Sequence, residues 1–271
     1  MMRAVGDFAG VSHASACVII NRVTRSIASL RQRYIRFPET EDGIRELKRC
    51  FHTIARFPKV VGALDCTHVK IQSPGGPNSE NFRNRKGYFS LNIQTISSPR
   101  LEILDIVARW PGASHDSTIF NASSICRKFE DAQMRNCFLL GDGGYEVRSY
   151  LLTPLAAPTT VAEQLYNESQ IRTRNVAECT YGVWKRRFPI LSLGMRVHVQ
   201  LAQNIIVATA MLHNIACQNR EDVPPQDPEV HVDPEDLGGG VPQHAPRQGR
   251  NDTMRRYLAE HYFWQDAVTD H

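Results

Sequence analysis

Four carboxylates stand where an acid is costly or conspicuous. Asp65 lies in GALDCTHV, with Val60, Val61 and Leu64 before it and Val69 and Ile71 after it. An ionised side chain inside an apolar strand is expensive unless a cation or hydrogen bonds compensate it. Asp142 follows the apolar run CFLLG and opens the glycine turn GDGGY. Ends of strands that run into such turns are where open α/β sheets place their chemistry. Asp116, in GASHDSTIF, stands early in a helix, and Glu178 lies in RNVAECTYGVWKRRFPIL. Three or four carboxylates converging from separate elements repel one another. A hard divalent cation, Mg2+ or Mn2+, relieves that repulsion because such ions prefer oxygen ligands. Two ions about 4 Å apart would activate a water or 3′-hydroxyl and stabilise the leaving oxygen in phosphodiester cleavage.

Each acid also has a plain reading. Asp65 could be a hydrogen-bonded structural residue, and Asp142 a turn aspartate. Asp116 could complement a helix dipole, and Glu178 could be a solvated ion-pair partner. His115 reads as a hydrogen-bonding group rather than a metal ligand. It is the four acids together that favour metal chemistry.

The elements that would position them follow from periodicity. Residues 174–187 read as a helix with an apolar stripe at Ala177, Tyr181, Trp184 and Phe188. Glu178 lies at the edge of that stripe, and Gly182, one turn on, leaves room beside the carboxylate. Lys185, Arg186 and Arg187 follow as candidate contacts to a DNA backbone, as do Arg83, Arg85 and Lys86 in NFRNRKGYF. A solvated basic face is the alternative for both groups.

Upstream, EDGIRELKRCFHTIARF reads as an amphipathic helix and KVVGALDCTHVKIQ as a strand. GYFSLNIQTISS and LEILDIVARW alternate at period two and read as a hairpin. SHDSTIFNASSICRKFE reads as one helix, CFLLG as a short strand, 156–173 as a polar connection, and 199–219 as a long core helix. The element order points to an α/β fold with a ribonuclease-H-like core. Residues 3–30 read as helix, turn and helix, with Ser12 as N-cap of the second. The expected division is a partial helix-turn-helix region at 1–35, a catalytic domain at 36–220, a disordered acidic Pro/Gly linker at 221–250 and a C-terminal helix at 251–271.

The bulk numbers bound the rest. The chain has 271 residues and a net charge of +4, which permits a nucleic-acid partner without demanding one. Seven cysteines without a CxxC pair argue for reduced thiols. LAQNIIVATAMLHNIAC is interrupted by polar residues and reads as a buried helix, not a membrane span. A soluble intracellular protein is expected.

GALDCTHVKI, NRKGYFSLNIQ, WPGASHDSTIF, LLGDGGYEVRSYLLTPL, RNVAECTYGVWKRRFPIL and MLHNIA together resemble the successive blocks of PIF/Harbinger-type DDE transposases and of their domesticated nuclease relatives. The resemblance spans roughly residues 10–217. It implies a ribonuclease-H-like DDE core, a divalent metal ion and DNA cleavage or strand transfer. It also implies a nuclear location, with the cytoplasm kept open, and a Myb-like DNA-binding partner protein. A homo-oligomer is compatible with it.

By the same resemblance, Asp65 is the first acid and Glu178 the last, and all four acids are candidate catalytic metal ligands. The middle place stays open. The HDS block points to Asp116, whereas the 35-residue gap before Glu178 points to Asp142. The chain opens inside its helix-turn-helix, Cys66 replaces a frequent glycine, and Glu146 replaces a frequent proline. A catalytically inactive, domesticated DNA- or protein-binding module is the alternative function.

Overall fold

The computed structural model describes residues 2–131, 133–225 and 252–264. Its longest strand, β1 (Val60–Lys70), is rich in β-branched and apolar residues, and nine of its eleven positions are buried. On one side β1 pairs antiparallel with β2 (Ser90–Ser97), which pairs antiparallel with β3 (Ile103–Pro111). On the other side it pairs parallel with the short β4 (Phe138–Leu140), and β4 pairs parallel with β5 (Leu151–Leu152). The resulting five-stranded mixed sheet has the order β3-β2-β1-β4-β5, with β1 in the middle.

The expected hairpin is present. Its turn closes through Ser98 and Glu102, with Leu101 at a φ of 62°. Strict alternation is not: all eight residues of β2 are buried. Helices covering both faces of the sheet remove the polar side that alternation would serve.

The N-terminal pair is α1 (Met2–Ala9) and α2 (His13–Ser29), where the Ser12 side chain accepts the Ser15 amide at 3.1 Å. A short α3 (Arg31–Tyr34) and the amphipathic α4 (Glu41–Ala55) follow. The single helix expected at 114–130 is two: α5 (Asp116–Asn121) and α6 (Ser124–Glu130). Ser123 separates them, because its hydroxyl caps α6 through the Cys126 amide at 3.1 Å.

The stretch expected as a polar connection is helical as well. α7 (Val161–Arg174) begins at a reciprocal capping box between Thr160 and Glu163. That T-x-x-E spacing is the sequence signal for it. Asn175 then separates α7 from α8 (Val176–Arg187). The short α9 (Ile190–Leu193) and the long α10 (Val199–Gln218) follow.

Among the described residues the core forms two clusters. One gathers Phe51, Phe57, Leu64, Leu140 and Tyr166 around α4, α7 and β4. The other gathers Val69, Leu91, Ile93, Tyr181, Trp184 and Ile206 around α8 and α10. Residues 226–250 of the expected linker lie outside the described residues. The C-terminal segment docks: α11 (Thr253–Leu258) and the wide turn after it place Leu258, Ala259 and Phe263 in the first cluster. All seven cysteines are free thiols. Among the described residues, no helix is long and apolar enough to cross a membrane.

Candidate active site

Asp65 stands in the middle of the central strand, opposite Thr95 of β2, and is only 3% exposed. Asp142 comes from the neighbouring parallel strand. Ala63 of β1 is in register with Leu140 of β4, and each aspartate lies two residues further along its own chain. The register therefore carries both acids to the same end of the sheet.

Asp116 reaches that end from α5. Its carboxylate accepts from Asn92 Nδ2 at 2.8 Å, and the same amide donates to the Ser114 carbonyl at 3.0 Å. Ser117 Oγ then donates to the Gly144 carbonyl at 2.7 Å, tying the start of α5 to the turn behind Asp142. Gly112, just ahead, is required by close packing: a Cβ there would lie 2.7 Å from the Phe82 carbonyl oxygen.

Glu178 arrives in the first turn of α8, and polar bonds hold that helix on β1. Tyr181 Oη donates to the Asp65 carbonyl at 2.7 Å and accepts from Thr95 Oγ1 at 2.9 Å. Gly182 behaves as its sequence position suggests, since a Cβ there would have no neighbour within 4 Å.

Arg174 joins Asp65 to Glu178. Its Nη1 lies 3.1 Å from Asp65 Oδ2 and its Nη2 lies 2.6 Å from Glu178 Oε1. No motif in the sequence singles this arginine out. The i,i+4 spacing to Glu178 on helical sequence was the available signal. Asn92 carries no such signal, because Gln94 and Thr95 beside it in LNIQTI are polar as well.

The acids sense one another. Burial pushes the Asp65 carboxyl well above its ordinary range; Arg174 opposes this, and Asp142 and Asp116 add to it. Asp142 is raised by burial and by Asp116, against the pull of Arg174. Buried carboxylates held near one another in this way are what a cation would relieve.

The oxygen donors fit a hard divalent cation in kind. Among the described residues, no three His, Cys, Asp or Glu side chains are already gathered closely enough to hold an ion. Arg174 supplies the positive charge between Asp65 and Glu178.

The basic residues divide. Arg85 and Lys86 are exposed, and Arg85 is near enough to lower the Asp142 carboxyl. Arg83 pairs with Glu80 at 2.7 Å and lies over the Phe89 ring. Arg186 is half-buried and donates to the Gly182 carbonyl. Lys185, expected at the surface, is 1% exposed and donates to Thr67 Oγ1 at 2.8 Å. Arg187 turns to the Glu221 carbonyl at 3.0 Å. The reason is angular: Lys185 lies four residues after Tyr181, so it shares the helix face that packs on β1.

The profile of the DDE superfamily endonucleases matches residues 64–214, more than half of the chain, and includes all four acids. The chain belongs to that family. Its harbinger branch is indicated by the curated relatives. The Homo sapiens protein named "Putative nuclease HARBI1" is 33% identical over 247 residues, covering 86% of this chain and 70% of that protein. The Xenopus laevis protein of the same name is 30% identical over 238 residues, covering 86% and 67%. Beyond animals, the Arabidopsis thaliana "Protein ALP1-like" is 24% identical over 228 residues, covering 78% and 55%. No solved structure matches the chain. Within the matched span Asp65 lies on a strand and Glu178 on a helix.

Proposed function

We propose that the chain is a divalent-metal-dependent DNA endonuclease of transposase origin, with a ribonuclease-H-like core. The observation that carries this is the convergence of Asp65, Asp142 and Asp116 at one end of the sheet, with Glu178 tied to Asp65 through Arg174. The strand order, with three antiparallel strands followed by two parallel ones, supports the fold assignment. The family of endonucleases to which the chain belongs supports the reaction class.

Asp65 and Glu178, with Asp142 or Asp116, would hold Mg2+ or Mn2+. When bound, such ions activate a water or hydroxyl and stabilise the leaving oxygen. The chain's own residues do the positioning. Asn92 fixes the Asp116 carboxylate, the sheet register fixes Asp65 beside Asp142, and Tyr181 fixes α8 against β1. Arg85 and Lys86, with Arg186 at the edge of α8, offer cations to a DNA backbone. A Myb-like DNA-binding partner and a nuclear site of action complete the reading.

Nicking of supercoiled plasmid tests it. The reading requires cleavage with Mg2+ or Mn2+ that is lost in Asp65→Asn.

A further inference from the structure

Among the described residues, Arg174 is the cation paired with two candidate metal ligands at once. Its two terminal nitrogens lie 3.1 Å from Asp65 and 2.6 Å from Glu178, and its side chain is 12% exposed. A guanidinium is a rigid fork that stays charged at any pH the protein meets, so this is a fixed double pairing. The backbone sets it. Arg174 is the last residue of α7 and Glu178 lies in the first turn of α8, with Asn175 between the two helices. Asp65 approaches from β1.

The oxygens that Arg174 occupies are those a cation would need. One guanidinium and one divalent ion cannot both hold Asp65 Oδ2 and Glu178 Oε1 from the same side, because they are like charges in a poorly hydrated place. The surroundings leave somewhere for an exchange to occur, since the Cβ direction of Gly182, one turn past Glu178, opens on space with no atom within 4 Å.

We propose that Arg174 is an internal counter-ion that competes with the divalent cation for Asp65 and Glu178, so that metal loading requires the guanidinium to release at least one of them. The proposal rests on the metal-dependent reading above and adds its regulation. Arg174 keeps the carboxylates compensated in the metal-free chain, and it makes the site weaker for metal than four acids alone would be.

Mn2+ binding tests this without reference to cleavage. The free-ion electron paramagnetic resonance signal is titrated with the full chain, with Arg174→Gln, with Arg174→Lys and with Asp65→Asn. Arg174→Gln is expected to bind Mn2+ about tenfold tighter or more, because a nearby repelling charge is gone. Arg174→Lys keeps the charge but cannot span both carboxylates, so its affinity falls between the two. Asp65→Asn removes binding in either background. If Arg174→Gln does not fold, Arg174→Lys decides: tighter binding than wild type supports the competition, and equal or weaker binding overturns it. Equal affinities in wild type and Arg174→Gln overturn the proposal while leaving the metal site standing. No Mn2+ bound by any of these proteins overturns the metal reading itself, and the competition with it.

Discussion

Lys185 donates its ammonium to Thr67 Oγ1 at 2.8 Å, two residues past Asp65 on the same strand. A lysine from a basic run is thus a buried bolt between the helix that carries Glu178 and the strand that carries Asp65. Tyr181, one turn earlier, bonds the Asp65 carbonyl at 2.7 Å. The placement of Glu178 relative to Asp65 is therefore set by polar contacts of α8 on β1 as well as by apolar packing.

Lys185→Ala should accordingly cost stability. Loss of a buried charged hydrogen-bond donor and its packed stem is expected to lower unfolding free energy by about 2–4 kcal/mol. Arg186→Ala, at a half-buried position, should stay within about 0.5–1 kcal/mol. Urea unfolding of both variants checks the difference. Equal effects would mean that Lys185 is not a structural contact.

The C-terminal segment gives a second test. Phe263 is 2% exposed and meets the rings of Phe57 and Tyr166 at centroid distances of 5.6 and 5.7 Å. Arg255 reaches across to Thr153 Oγ1 at 3.0 Å. Phe263→Ala is expected to cost about 3–5 kcal/mol, as for other large core aromatics. A thermal shift of only a degree or two would show that the segment is not part of the core.

Asp105 gives a pH test away from the acids of the site. It lines a cleft of about 890 Å³ between α4, β3 and α6, and its Oδ2 is buried without a hydrogen-bond partner. Burial pushes its carboxyl up to about 6, against the pull of Lys128 and Arg31. The folded chain therefore keeps a proton that the unfolded chain has released between about pH 4 and pH 6. The contribution of this group to stability is greatest below pH 4 and falls as the pH rises to 6. Asp105→Asn should remove that fall and gain at most about 3 kcal/mol at pH 7. An unchanged stability-pH profile in the variant would exclude the shift.

The sequence was readable where one residue's chemistry clashed with its neighbourhood. An aspartate in the apolar run around Asp65 and an aspartate at the mouth of GDGGY are such clashes, and the structure brings both to one end of the sheet. The hairpin and α4 are legible from period, β1 from its β-branched residues and α10 from its apolar run, close to their observed bounds. α7 was not, because its polar sequence hides a helix whose clearest mark is the Thr160–Glu163 cap. The role of Arg174 was not legible either. It depends on a tertiary contact with Asp65, 109 residues away, which no local spacing encodes. Lys185 and Arg187 read as surface cations because charge suggests exposure, and the face of α8 overrides that expectation.

The most direct measurement is a time course of supercoiled plasmid nicking by the purified full chain in Mg2+ or Mn2+, with and without a Myb-like DNA-binding partner. Asp65→Asn and Glu178→Gln are run alongside, with their folding checked by circular dichroism. The account predicts nicked circles that require the ion and a loss of about 10³-fold or more in either variant, since metal stabilisation supplies several kcal/mol. DNA bound but never cut under any of these conditions, or cut equally well by Asp65→Asn, would contradict it.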